Sequence, residues 1–120
     1  MAISLELQAD ASSTGHAANN ITFPKQAGLT FYLTKFTVVA NGATTPAIVS
    51  ITLTGAKSRS GTTPTWPFNV AAAGTYTILQ EVFGEKGWPG TAQNTDFILN
   101  VPDFGVGNTV ASVIATGFYA

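Results

Sequence analysis

The stretch that decides the fold is TFYLTKFTVVA, residues 30–40. It is rich in β-branched and aromatic residues, which favour extended strands. Because side chains alternate between the two faces of a strand, both faces are predicted to be partly apolar. One face is expected to carry Tyr32, Thr34, Phe36 and Val38, and the other Phe31 and Leu33.

The residues that follow favour a hairpin. Asn41 and Gly42 both tolerate positive φ, which is typical of tight turns between strands. The next stretch, residues 48–54, alternates again and places Val49, Ile51 and Leu53 on its apolar side. We therefore expect residues 30–40 to pair with residues 48–54.

Strand patterns recur along the rest of the chain, at Ile3–Ala9, Ile21–Phe23, Trp66–Val70, Thr75–Phe83, Asp96–Val101 and Thr109–Tyr119. No segment long enough for a helix has a helical period, and the connections are mostly too short for crossover helices. The sequence therefore predicts an all-β protein, an antiparallel β-sandwich of jelly-roll type with about eight short strands. We expect residues 1–120 to form a single domain.

Charge is scarce. Only 9% of the residues are charged, the net charge is −1, and there is no cysteine for disulfides or thiolate-bound metal. A nucleic-acid-binding domain normally carries a basic patch, so nucleic acid is not an expected partner. Neither a signal peptide nor the roughly 18 apolar residues of a membrane helix is present, so we expect no membrane partner. So few charges oppose association only weakly, and we expect other subunits to cover much of the surface.

Residue types that carry catalysis are few. His16 lies in a loop of small polar residues, where a solvated side chain is more common than a member of a Ser-His-Asp triad. Glu81 and Asp96 are the carboxylates that neighbouring strands could bring together, as glycoside hydrolysis requires. Asp103 with Asn108 could supply oxygen ligands to a weakly bound ion. We read all of these as surface or loop residues, and expect no enzyme, cofactor or metal site.

Seven residues are candidates for contact with a partner; three of them, Ile3, Leu5 and Leu7, belong to the N-terminal segment, and the other four lie in the middle of the chain. Trp88 lies in a loop of glycine and proline, and Trp66 lies between two prolines. An indole in such a place can stack on a sugar ring, fill a partner's pocket, or close one end of the sandwich. Lys57 and Arg59 form the one basic loop, which is either a solvated turn or a docking point for an acidic surface.

The N-terminal segment, residues 1–20, has two interpretations. Its alternating apolar residues are Ile3, Leu5 and Leu7, and a polar loop is predicted from Asp10 to Asn20. The alternation suits a first strand followed by a loop. It suits equally an arm that adds a strand to a neighbouring subunit.

Several runs resemble a known family. They are GLTFYLTKFTV at 28–38, DFILNVPDFGVGNT at 96–109 and ATGFY at 115–119, and residues 42–55 are also similar. These runs resemble the small β-sandwich structural proteins of tailed phages and prophages, and the resemblance spans residues 21–120. The loops at 57–64 and 85–90 depart from the family pattern.

The resemblance implies a virion structural role. The preferred version is a capsid decoration (cement) protein, a homotrimer that binds the major capsid protein on the capsid surface after synthesis in the host cytoplasm. Family membership does not separate a head location from a tail location. The alternative is a carbohydrate- or receptor-binding module of a phage tail or fibre, using Trp66 or Trp88. A third hypothesis is a small hydrolase using Glu81, Asp96 or His16.

Overall fold

The computed structural model describes residues 7–13, 18–58, 61–72, 74–108 and 111–120, with the backbone alone described for 9–13. Within these ranges the protein has nine strands and no helix, and so no helix there is long and apolar enough to span a membrane. The strands are β1 (Leu7–Ser13), β2 (Ile21–Phe23), β3 (Phe31–Ala40), β4 (Ala47–Thr54), β5 (Thr65–Val70), β6 (Thr77–Val82), β7 (Trp88–Pro89), β8 (Phe97–Asn100) and β9 (Ala111–Tyr119). The predicted all-β class is confirmed.

The strands form two antiparallel sheets that pack face to face. The larger sheet has the order β1-β9-β3-β6, with the short β7 also paired to β3. The smaller sheet has the order β2-β8-β4-β5. The predicted antiparallel sandwich is therefore confirmed.

The pairing also confirms the jelly-roll type. With β7 set aside, β1 pairs with β9, β2 with β8, β3 with β6, and β4 with β5. The first four strands thus pair in reverse order with β5, β6, β8 and β9. The eight strands form one long antiparallel hairpin, which is then folded into a sandwich. The additional ladders β3–β9 and β4–β8 close this hairpin into two sheets, which is the arrangement of a jelly roll.

The predicted hairpin between β3 and β4 is wrong. β3 lies in the larger sheet and β4 in the smaller one, so the chain crosses between sheets after Ala40. Gly42 has φ = 63°, and a Cβ at this position would lie 2.0 Å from the carbonyl oxygen of Ala72. Residue 42 must therefore be glycine, because two connections cross closely at this point. A hairpin turn would also favour glycine here, so the Asn41-Gly42 pair fits both structures.

The predicted faces of β3 are wrong in their second half. Phe31 and Leu33 are buried, and so are Phe36 and Val38, which the simple alternation assigned to the opposite face. The register between β3 and β9 shifts between Leu33 and Lys35, which marks a β-bulge at Thr34. A bulge inserts one residue and so reverses the alternation beyond it.

Two further elements extend the sequence prediction. β1 continues through Ser13, where a loop was predicted, because residues 7–13 pair along β9 from Gly117 to Ala111. β7 forms within a predicted loop, where Trp88 pairs with Leu33, and Pro89 with Tyr32. In both places pairing with a distant strand decides the conformation, not the local composition.

The core lies between the two sheets and is rich in phenylalanine. Phe31 stacks on Phe23 with ring centroids 4.1 Å apart, and meets Phe97 and Tyr119 edge to face at 5.0 and 5.1 Å. Gly117 gives the Phe31 ring its space, since a Cβ there would lie 2.2 Å from that ring. Of the inward residues predicted for β4 and β8, Ile51, Leu53, Phe97 and Leu99 are buried, and Val49 is half-buried.

Candidate functional site

An aromatic cluster closes one flank of the sandwich. It consists of Phe36 of β3, Trp66 of β5, Phe83 directly after β6, and Trp88 of β7. Trp66 lies 5.3 Å from Phe36, 5.7 Å from Phe83 and 5.8 Å from Trp88, measured between ring centroids. Edge-to-face aromatic pairs at these distances add to the stability that burial alone provides. The cluster therefore joins the two sheets where β5 and β6 lie side by side.

Trp88 is held in place by the backbone of Lys57. The indole Nε1–H of Trp88 donates to the carbonyl oxygen of Lys57 at 2.9 Å, and the Lys57 N–H donates to the carbonyl oxygen of Pro89 at 2.8 Å. Trp66 and Trp88 are both half-buried, and Lys57 is exposed beside them. Each indole thus serves as a lid on the core and still presents part of its surface. The lid on the core is thus observed, and contact of the indoles with a partner or ligand stays a prediction.

Shallow grooves lie on either side of Trp88. The larger, of about 600 Å³, brings the exposed parts of the two indoles together with hydroxyl groups and one carboxylate. Its lining residues are Thr62, Thr63, Pro64, Thr65, Trp66, Glu81, Phe83 and Trp88. The smaller is lined by Lys57, Ser58, Phe83, Gly87, Trp88 and Pro89. Such surfaces suit binding by stacking and hydrogen bonding.

The structure does not bring the proposed catalytic groups together. Glu81 lies on β6 of the larger sheet and lines the groove beside Trp66. Asp96 precedes β8 of the smaller sheet, and its Oδ1 accepts the backbone N–H of Lys25 at 2.7 Å. His16 lies outside the described residues. These positions give no support to the hydrolase hypothesis.

Acidic residues near turns serve the backbone. Oδ1 of Asp103 accepts the N–H of Gly105 at 2.7 Å, which stabilises the turn that was considered for a weak ion. The described part of the chain contains no group of three or more His, Cys, Asp or Glu residues that could hold a metal.

Exposed apolar residues also occur on the outer face of the larger sheet. We use this term for the side chains of β3, β6 and β9 that point away from the core. Ile78 and Val82 are 66% and 65% exposed, and Ile114 is 40% exposed. They alternate with polar or half-buried neighbours across the ladders, namely Lys35, Thr37, Val39, Gln80, Ser112 and Thr116.

This outer face carries little charge. Among the described side chains that point outward from these strands, Lys35 is the charged one. Glu81 of β6 lies on the inward side, and Glu85 lies at the rim of the groove beside Lys35. Next to the bulge, the Thr34 hydroxyl donates to the Thr116 carbonyl oxygen at 2.9 Å and lies 2.9 Å from the Thr116 hydroxyl. These two hydroxyl groups are thus bonded within the sheet, so covering them would leave neither without a hydrogen bond.

Sequence reasoning did not single out this face. The alternation of Ile78 and Gln80 with Thr77, Leu79 and Glu81 was visible in the sequence. Both sets contain apolar residues, so the pattern could not say which set faces the core. Pairing with β3 places Leu79 inward and leaves Ile78 exposed.

Three of the predicted contact residues, Ile3, Leu5 and Arg59, lie outside the described residues. Leu7 begins β1 opposite Gly117 and is 43% exposed. The structure brings Lys57, Trp66 and Trp88 together at the aromatic cluster and places Leu7 apart from them, on the opposite edge of the larger sheet.

Comparison with known proteins identifies no family for this chain. No protein-family description matches the chain, and a search of curated proteins found no match. Among solved structures, the chain is similar to the coat protein of Tobacco streak virus, with 10% identity over 94% of this chain and 85% of that one, at a TM-score of 0.38. The jelly-roll assignment rests on the strand order and not on this similarity.

Proposed function

We propose that this chain is a structural protein of a tailed-phage virion that acts as a capsid decoration (cement) protein. The observation that carries the proposal is the outer face of the larger sheet, where exposed Ile78, Val82 and Ile114 alternate with polar side chains of low charge. The resemblance of residues 21–120 to small phage structural proteins supports the same role. The proposal assigns the chain no catalytic activity, cofactor or metal.

The outer face has the properties that a lattice contact requires. Ile78, Val82 and Ile114 would lose exposed apolar surface on contact, which is favourable at about 25 cal/mol per Å² before the costs of association. Because Lys35 is the charged side chain among the described outward residues, the cost of desolvating charge is confined to one group, which can keep its charged end at the rim of a contact. A stable interface needs about 800 Å² on each partner. A sheet of four strands is a rigid support for a contact of that size.

The partners in this proposal are the major capsid protein and sister copies of the chain. We place the outer face against the assembled capsid, and we assign the copies to a homotrimer with a cyclic interface on another surface. The location is the capsid surface, after synthesis in the host cytoplasm. A protein that binds only the assembled shell stabilises that shell by mass action.

The test measures mass and capsid binding together. Light scattering after size exclusion gives the subunit count, and co-sedimentation with purified capsids gives the affinity. We expect a trimer that binds capsids, and we expect Ile114→Lys to weaken binding at least tenfold. The matched control is Ile48→Lys, because Ile48 is 73% exposed but lies on the smaller sheet. A monomer without affinity for any capsid would overturn the proposal, as would equal loss of binding in both variants.

The groove beside Trp66 favours a second candidate, a carbohydrate- or receptor-binding module of a tail or fibre. Half-exposed indoles next to threonine hydroxyls and the Glu81 carboxylate are the groups that recognise a neutral sugar ring by stacking and hydrogen bonding. A glycan array probed with the wild type and with Trp66→Ala separates the two candidates. Binding that Trp66→Ala abolishes supports the module, and no binding to any glycan removes it.

A further inference from the structure

The β6 strand has a free edge. The N–H of Phe83 donates to the carbonyl oxygen of Thr34 at 2.8 Å. Every second residue counted back from Phe83, namely Glu81, Leu79 and Thr77, therefore directs its backbone N–H and C=O groups toward β3. The alternate residues, Ile78, Gln80 and Val82, direct their N–H and C=O groups away from the sheet. The backbone hydrogen bonds of the described residues outside the ladders include none to these three.

The sequence along this edge is self-complementary. If two β6 strands pair antiparallel with Gln80 opposite Gln80, then Ile78 of one copy lies opposite Val82 of the other. The inward residues are also matched, since Leu79 then lies opposite Glu81 and no like charges meet. All three outward residues of each strand are paired in this register. A shift of the register by two residues leaves one of the three unpaired, and the shift in one direction also sets Glu81 against Glu81, which is unfavourable.

We propose that two copies of this chain associate through β6, with Gln80 at the twofold axis, so that the larger sheets of the two copies become one continuous sheet. The occupant of the free edge is therefore the same strand of a second copy. A twofold contact is isologous and does not occur within a closed ring of three subunits. If the chain forms trimers, this contact joins neighbouring trimers; if it is a monomer, the contact makes a dimer.

Charge exchange at residue 80 tests the proposal. Analytical ultracentrifugation over a range of concentrations measures whether the smallest unit doubles in mass, and this readout does not depend on capsid binding. We expect the mass of the smallest wild-type unit to double as the concentration rises. We expect Gln80→Lys and Gln80→Glu each to weaken the association about tenfold or more, because two like charges would face one another across the axis.

Mixing the two variants gives the decisive result. A lysine opposite a glutamate is favourable, so the mixture is expected to recover the association that each variant lacks alone. Gln93→Lys and Gln93→Glu are the matched controls, because Gln93 is an exposed glutamine of a turn away from β6. Circular dichroism shows whether the variants fold.

Three outcomes would overturn the proposal. They are a wild-type unit whose mass never doubles, an association that neither charge at residue 80 weakens, and a mixture that fails to recover what the separate variants lost. Loss of capsid binding with the doubling intact would instead count against the proposed function alone.

Discussion

The two edge strands at the aromatic flank differ in how their free edges are treated. β5 and β6 lie side by side, since Trp66 of β5 packs 5.7 Å from Phe83, which follows β6. In β5 the carbonyl oxygen of Pro64 accepts from Leu53, so the alternate residues Thr65, Pro67 and Asn69 face the free edge. Pro67 lies at the centre of that edge and has no N–H to offer. β6 has no proline, and its edge carries Ile78, Gln80 and Val82.

The difference shows that one edge is closed to strand addition and the other is open. Natural sheets commonly protect their edges with proline, charge or short strands. β5 follows this rule because Pro67 lies at its free edge. β2 follows it because the strand is three residues long and ends before Pro24. β6 departs from it, with apolar side chains at both ends of an uncharged outward row. An open edge beside the proline-closed edge of β5 is consistent with use in assembly.

The largest expected effect tests the assigned backbone directions in β6. Leu79→Pro removes a donor to β3 and should destabilise the protein by about 3 kcal/mol or more. Gln80→Pro removes only an outward donor, as Pro67 does in β5, and should cost about 1 kcal/mol. Urea unfolding followed by circular dichroism measures both. Equal costs for the two variants would contradict the assignment of the free edge.

The next effect tests whether the aromatic cluster holds the two edges together. Phe83 contacts Phe36, Trp66 and Trp88, with centroids 6.0, 5.7 and 5.5 Å away. Because Phe83 is half-buried, Phe83→Ala should reduce the free energy of unfolding by about 2 kcal/mol, less than a fully buried phenylalanine would. Phe83→Leu is the control and should lose about half as much. A loss in Phe83→Ala below about 0.5 kcal/mol would show that β5 and β6 are held together elsewhere.

A smaller effect concerns the short β2 edge at the other side of the smaller sheet. The Tyr119 hydroxyl donates to the carbonyl oxygen of Pro24 at 2.6 Å and so links β9 to the end of β2. Tyr119→Phe should lower the free energy of unfolding by about 1 kcal/mol at neutral pH. An unchanged free energy of unfolding would mean that the end of β2 is held in place without the Tyr119 hydroxyl.

Tyr119 should also make stability depend on alkaline pH. Burial raises the pKa of Tyr119 above its usual 10.0, and the nearby Asp96 charge raises this pKa further, against a hydrogen bond with Gln26 that lowers it. The folded state thus favours the neutral phenol. This contribution is complete below pH 10 and is lost as the pH rises through the higher pKa of the folded protein. Urea titrations between pH 8 and 11 should show a shallower decline for Tyr119→Phe than for the wild type.

The smallest effect on stability, but an informative one, comes from opening the β5 edge. Pro67→Ala restores an outward N–H and should change the free energy of unfolding by no more than about 0.5 kcal/mol. If Pro67 protects the edge, sedimentation should show increased self-association of this variant. Pro46→Ala, in an exposed turn, is the control and should associate like the wild type. No difference between the two variants would remove the contrast between β5 and β6.

The class of fold and most of the strands could be predicted from local sequence patterns. Alternation over a few residues is a local property, and it was sufficient for β2, β4, β5, β6, β8 and β9 and for the inward residues Ile51, Leu53, Phe97 and Leu99. The aromatic residues Trp66 and Trp88 were singled out from their neighbours in sequence. The scarcity of charge pointed to a surface that is covered in an assembly.

The pairing of the strands and the choice of exposed faces depend on contacts between distant parts of the chain. The bulge at Thr34, the sheet crossing at Gly42, the short strand at Trp88 and the extension of β1 all depend on partners far away in sequence, as does the choice between Ile78 and Leu79 as the exposed residue of β6. Local periodicity carries no information about these partners, because a strand's inward side is set by the ladder that it joins. The open edge of β6 is for the same reason a property of the folded sheet.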